Sequence, residues 1–205
     1  NYIIQNDKNM VSQGQYFNPL TSLYLFPRGE DFSDVTVYER YDDLSGVNTQ
    51  YWPYGDLGGV SSQNPYWIMN RMNRENDRRR YKLAASLQYN IIDGLNVQGR
   101  VSIDNTESKY TEKFHAGTVG NFAGSKGRYK EENRLDRQVY ADVLANFNKT
   151  FNEFNVTANL GASIKDLRME LTSLHGDLNN VTNHFTIENL TRSGYYKAVS
   201  YTHLR

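Results

Sequence analysis

RYKLAASLQYNIIDGLNVQGRVSI, residues Arg80–Ile103, carries the pattern that decides the fold. Tyr81, Leu83, Ala85, Leu87, Tyr89 and Ile91 fall on one face of an extended chain. Lys82, Ser86, Gln88 and Asn90, with Ala84 among them, fall on the other. Side chains of a strand point alternately to opposite faces, so this is a strand with one apolar face. After Asp93-Gly94 the alternation resumes with Leu95, Val97, Gly99, Val101 and Ile103 against Asn96, Gln98, Arg100, Ser102 and Asp104. Both apolar sets are odd-numbered, so partners across the hairpin must sum to an even number. An Asp-Gly loop alone pairs Ile92 with Leu95, an odd sum that sets apolar against polar. Parity therefore predicts the odd loop Ile92-Asp93-Gly94, with Ile91 opposite Leu95 and Gly94 left-handed. Tyr89 then faces Val97, Leu87 faces Gly99 and Ala85 faces Val101.

A second hairpin follows the same scheme. Val139, Ala141, Val143, Ala145 and Phe147 alternate with Tyr140, Asp142, Leu144 and Asn146. Phe154, Val156, Ala158, Leu160, Ala162 and Ile164 alternate with Asn155, Thr157, Asn159, Ser163 and Lys165. Odd now pairs with even, so the loop has an even length. Lys149–Asn152, or its inner pair, sets Phe147 opposite Phe154 and Val143 opposite Ala158. Both turns are short, whereas Met10–Glu75, His115–Gly127 and Ser173–Ser193 are long connections at the other end. Short turns at one end and long loops at the other is the layout of an outer-membrane barrel, and the Lys, Arg, Asp, Asn and Gln of the second face suit a wet lumen. From Tyr81 to Ile91 the strand runs roughly 33 Å at ~3.3 Å per residue. At a tilt of ~45° that rises about 23 Å, close to the ~25 Å apolar band of such barrels. Tyr89, Phe147 and Phe154 near the short turns, and Tyr81 at the other end, stand where aromatic girdles are expected.

Composition agrees with this class. Lys plus Arg number 23 and Asp plus Glu 23, so the formal net charge is zero, without the basic excess of a nucleic-acid binder. Cysteine is absent, which excludes disulfides, zinc–thiolate sites and thiol nucleophiles. A mean hydropathy of −0.74 suits a soluble or disordered chain, but 13% aromatics argue against disorder. No apolar run approaches the ~20 residues of a membrane-spanning helix. A strand that alternates lipid-facing and lumen-facing residues needs no such run. The chain opens at Asn1 inside a strand, with neither an initiator Met nor a signal peptide. It stops at Arg205, a few residues into another strand that starts near Tyr195. Such ends are expected of a piece of a longer polypeptide.

YFNPLTSLYLFPRGEDF (Tyr16–Phe32), VYERYD (Val37–Asp42) and NPYWIMNRMNRENDRRRYKLAASLQYNIIDGLNVQGRV (Asn64–Val101) resemble SusC/RagA-type TonB-dependent outer-membrane transporters. The resemblance covers essentially the whole chain, with FPRGED and NPYW its more specific segments. It implies a 22-stranded barrel in the bacterial cell outer membrane, an N-terminal plug, and a SusD-like surface lipoprotein as lid. It also implies import of glycans or peptides driven by the TonB complex through the plug. Plug and TonB box are absent here, and the tail Tyr201–Arg205 lacks the aromatic end by which such barrels are recognised for insertion.

The predicted organisation is all-β: antiparallel up-and-down strands of a partial transmembrane barrel with long extracellular loops. Strand stubs occupy 1–9 and 195–205. Hairpins occupy 76–112 and 128–172, and extracellular loops 10–75, 113–127 and 173–194. Catalytic, metal and cofactor sites are not expected, and neither is a nucleic-acid partner. His115, His175, His184 and His203 are scattered and read as solvated residues of loops or tail. The run 120–127 superficially resembles a phosphate loop but lacks adjacent Gly-Lys-Ser/Thr, and no Gly-x-Ser-x-Gly elbow occurs. Arg78-Arg79-Arg80 reads as a solvated rim. Loops this long are usually functional. Tyr51, Trp52, Tyr54, Tyr66 and Trp67 are therefore the candidate contacts to ligand or lid, set against the plainer reading that they form the loop's own core. Asp31–Tyr41 is read as holding a short helix. The alternative to an import barrel is a soluble β-rich carbohydrate-binding module; a β-rich enzyme domain ranks below both for want of a catalytic constellation.

Overall fold

The computed structural model describes residues 1–11, 14, 16–54, 62–191 and 195–204. Arg205 of the tail and loop positions 12, 13, 15, 55–61 and 192–194 lie outside the described residues. Most of the chain is antiparallel β-sheet. Six strands form one open sheet: β1 (Tyr2–Lys8), β4 (Met72–Ile92), β5 (Leu95–Phe114), β6 (Arg128–Phe151), β7 (Phe154–Asp177) and β8 (Tyr195–Leu204), in the spatial order β1-β4-β5-β6-β7-β8. In the first long connection lie α1 (Pro19–Tyr24), a 3-10 turn (Phe32–Thr36), the small hairpin β2 (Glu39–Asp42) and β3 (Val47–Gln50), and α2 (Pro65–Arg71). The 3-10 turn falls inside Asp31–Tyr41, where a short helix is expected.

β4 to β7 run for 21, 20, 24 and 24 residues, far beyond the 3–10 usual in globular proteins. The sequence permits this length, because no Pro occurs between Met72 and Asp177 to remove a ladder donor. The ladders extend past the expected hairpin limits at the long-loop end, so His175, read as a loop residue, instead lies within β7. His203, read as part of the tail, lies within β8.

Two turn assignments are corrected. Ile92, not Ile91, pairs with Leu95 across the two-residue loop Asp93-Gly94, and the register shifts between Asn90 and Ile92. The parity is restored by a bulge, which places an extra residue in one strand. Beyond it Tyr89 faces Val97, Leu87 faces Gly99 and Ala85 faces Val101, as the parity requires. Gly94 is left-handed at φ +86°, and a Cβ there would meet the Asn148 carbonyl oxygen at 2.6 Å. Asn148 N–H donates to Gly94 O at 2.7 Å, so this turn is locked to β6. The second hairpin keeps its odd sum but slips by four residues. Phe151 pairs with Phe154, Phe147 with Ala158 and Val143 with Ala162, around the turn Asn152-Glu153. Asn152 adopts φ +52° there, a conformation Asn tolerates better than most residues, which makes the tighter turn attainable.

The buried core sits at the long-loop end and not along the sheet. Trp67, Ile68, Met72, Phe114 and Ala123 form it, with Phe17, Tyr38 and Phe122 packed around them. Met72 and Phe114 are register partners at the tops of β4 and β5, so the loop folds down onto the strand ends.

Candidate functional site

Register rows across β4 to β7 separate two chemistries. On one face lie Leu83–Ile103–Val139, Ala85–Val101–Ala141–Ile164, Leu87–Gly99–Val143–Ala162 and Tyr89–Val97–Ala145–Leu160. Nothing among the described residues covers this face: Leu87 is 76%, Tyr89 69%, Val143 54% and Leu160 78% exposed. The opposite face carries Ser86–Arg100–Asp142–Ser163, Gln88–Gln98–Leu144–Gly161 and Asn90–Asn96–Asn146–Asn159. Arg100 Nε donates to Asp142 Oδ1 at 2.9 Å across β5 and β6, and Asn146 Nδ2 donates to Asn96 Oδ1 at 2.9 Å. The continuous apolar face ends at the row Tyr2–Tyr81–Asn105–Arg137–Arg168, beyond which charged residues stand on both faces. Tyr2 joins Tyr81 at that border, with Phe151 and Phe154 at the short-turn end.

Comparison with protein-family models and with curated proteins finds no match. The site therefore stands on its own geometry. No helix among the described residues is long and apolar enough to cross a membrane, which says nothing about strands.

The five aromatic candidates separate by burial. Trp67 has no exposed surface; its Nε1 donates to Thr118 Oγ1 at 3.1 Å. It cannot present a ring to a solute, so as a stacking platform it is corrected to a core residue. Tyr66, half-buried, stacks on Tyr38 at 6.4 Å. Tyr51 lies beneath the Arg40 guanidinium at 3.3 Å. Trp52 donates from Nε1 to Ser62 Oγ at 2.8 Å and meets Tyr54 edge-on at 5.2 Å. Tyr54 meets Phe26 at 5.1 Å, and Phe26 meets Phe32 at 5.5 Å. Trp52, Tyr54, Phe26 and Phe32 thus form one chain of rings, brought together by segments far apart in sequence.

Polar contacts hold the loop as well as its apolar core. Fully buried Asn64 donates from Nδ2 to Val35 O at 3.0 Å and Tyr51 O at 3.1 Å, while its Oδ1 caps α2 by accepting from Tyr66 N at 2.9 Å. Pro65 at the first helical position has no N–H to leave unsatisfied, so Asn-Pro is a helix start, and its signal is visible in NPYW. Arg71 grips Glu39 through Nε and one terminal nitrogen at 2.8 and 2.9 Å. That charge-assisted bond holds the Glu39 carboxyl below its ordinary value, and the partly buried pair fastens β2 to the end of α2. His115 Nδ1 lies 2.9 Å from Arg71 O, and a carbonyl can only accept, so Nδ1 carries the hydrogen. Burial pushes the His115 pKa down, in keeping with a neutral ring edge-on to Phe185 at 4.9 Å.

Above the border, Arg74 is clamped between the rings of Phe17 and Phe114 and paired with Glu112 at 3.1 Å. Burial, with Glu112 nearby, pushes the Tyr110 hydroxyl up to about 12. The Arg78–Arg80 run divides by parity: Arg79 lies on the face that is apolar lower down, Arg78 and Arg80 on the polar one. Read as a rim, the run hid this division; the period-two signal of Arg80–Ile103, continued two residues upstream, contains it.

Proposed function

We propose that this chain is a segment of an outer-membrane import barrel, its apolar face turned to lipid and its polar face to a solute path. The reading rests on one observation: four long strands align their apolar residues in register on one face and leave them uncovered. In water this arrangement is costly. Fully burying one large apolar side chain contributes about 1.5–3 kcal/mol. Leaving Leu83, Leu87, Tyr89, Val101, Val143, Leu160 and Ile164 partly wet therefore forgoes on the order of 10 kcal/mol, comparable with the whole stability of a folded domain. Lipid removes that cost. The polar face, with its ion pairs and amides, suits a wet interior, and the long loops lie at one end as in such barrels. The resemblance to SusC/RagA-type transporters supports a glycan or peptide as solute, a SusD-like lipoprotein as lid and TonB as the source of energy. No catalytic role is assigned.

The test compares two positions on opposite faces of β6. Arg at the membrane midplane of a lipid face costs about 2–4 kcal/mol, whereas lumen positions tolerate charge. Val143→Arg should thus lower folding free energy into bilayers by about that amount. Gln138→Arg, on the polar face of the same strand, should be mild. Equal costs in denaturant titrations from lipid vesicles would sink the reading.

A further inference from the structure

Resting on that reading of the polar face as a solute path, we propose a carboxylate-binding subsite at the register row Arg78–Ser108–Arg134, selecting an acidic oligosaccharide. Arg78 pairs directly with Ser108 and Ser108 with Arg134, so two guanidinium groups flank one hydroxyl. With strands ~4.8 Å apart, the arginine backbones stand about 10 Å from one another. All three residues line a groove of about 440 Å³, bounded above by Asn76, Tyr110 and Glu132 and below by Thr106 and Asp136, both acids being paired within the sheet.

Charge bookkeeping identifies the missing partner as an anion. Five acids on this face already hold cations: Glu112 with Arg74, Asp104 with Arg80, Asp142 with Arg100, Glu132 with Lys130 and Asp136 with Arg134. Asp7, on the same face, takes both its bonds from Gln5 Nε2, at 3.1 and 2.9 Å. Arg78 is exposed and makes no ion pair or side-chain hydrogen bond among the described residues. Asp136 engages Arg134 through Nε and one terminal nitrogen, at 2.7 and 3.1 Å, which leaves its other terminal nitrogen for a ligand. Guanidinium groups match carboxylates geometrically, two N–H bonds at a time. Ser108 and Thr106 hydroxyls and the Asn76 amide supply the neutral donors and acceptors that sugar hydroxyls require, and these favour a uronate-bearing glycan over an acidic peptide.

The full chain, folded in detergent, is titrated with oligogalacturonate, with a maltooligosaccharide of equal length, and with an oligoglutamate peptide. Oligogalacturonate should bind best, more weakly at high salt, and Arg78→Gln should weaken it about tenfold or more, the loss of one charge-assisted hydrogen bond. Arg79→Gln, one residue away on the opposite face, should leave binding unchanged; circular dichroism checks that both variants keep the sheet. Equal affinity for the neutral glycan, equal effects of the two substitutions, or preference for oligoglutamate would each overturn the subsite. Exclusion of the chain from lipid vesicles would overturn the barrel and leave the Arg78 dependence to be read separately.

Discussion

His115 is the residue at which the loop becomes sensitive to acid. Its ring is half-buried between Arg71 O and Phe185, and burial holds its pKa below the ordinary 6.5. An undocked His115 takes up a proton near that ordinary value, whereas the docked ring resists until lower pH. A base whose pKa is depressed on folding contributes stability that is complete above pH 6.5 and declines as pH falls toward the depressed value. The Glu39–Arg71 pair titrates later, because the Glu39 carboxyl is held below 4.5. Between about pH 6.5 and 5 the change therefore belongs to the imidazole. Hydrogen exchange of the Phe114–Thr118 amides should quicken over that window, and His115→Gln should flatten the profile. An unchanged profile in the variant would assign the acid response elsewhere. Gly117, two residues on, shows why the segment is tight. It sits at φ +87°, where a Cβ would lie 2.5 Å from Thr49 Cα, so β3 and this turn meet backbone to backbone.

At the scale of elements, the loop packs onto the sheet at Met72 and Phe114. Removing a fully buried Trp costs about 3–5 kcal/mol. Trp67→Ala should therefore undock α2 from the Thr118 turn while the register of β4 to β7 persists. Limited trypsin digestion reads this as faster cutting at Arg28 and Arg40, with the Met72–Asp177 sheet retained as one fragment. Cutting at the wild-type rate would mean that Trp67 does not hold the loop. The same division explains what the sequence allowed to be read. Period-two alternation identifies the faces of β4 to β7 because each strand is regular and one face is uniformly apolar. It cannot see a bulge: an extra Ile at position 91 or 92 changes parity identically whether it lengthens the loop or kinks the strand. Nor can it choose among even loops, since the slip from Phe147–Phe154 to Phe147–Ala158 preserves which face every side chain occupies. The loop is less legible still. Asn64 links Val35 and Tyr51 through tertiary bonds, and Trp52 reaches Phe32 through Tyr54 and Phe26. Neither arrangement follows from local spacing.

For the molecule as a whole, two liabilities coexist, and a single experiment separates them. One is the apolar face. The other is the sheet's margins. β1 pairs with β4 only from Glu75 to Tyr81, and β8 with β7 only from Asp166 to His175. The lower parts of β4 and β7, beside the apolar rows, thus keep unpaired N–H and C=O groups along one side, a template for association. We expect the chain to aggregate in plain buffer and to disperse, with its β signal intact, in detergent micelles; sedimentation velocity under both conditions measures this. A monodisperse monomer that melts cooperatively in buffer would instead favour a soluble binding module. The cause of aggregation is then read from Leu87→Lys with Leu160→Lys. Both side chains stand more than three-quarters exposed on the apolar face, and neither substitution alters a backbone bond. If the face drives association, two charges there should raise solubility in buffer and weaken partition into lipid vesicles. If the margins drive it, the double variant should precipitate as the parent does. Solubility gained without loss of partition would break the link between this face and lipid, because one set of side chains cannot be the surface hidden from water and yet be indifferent to charge in a membrane.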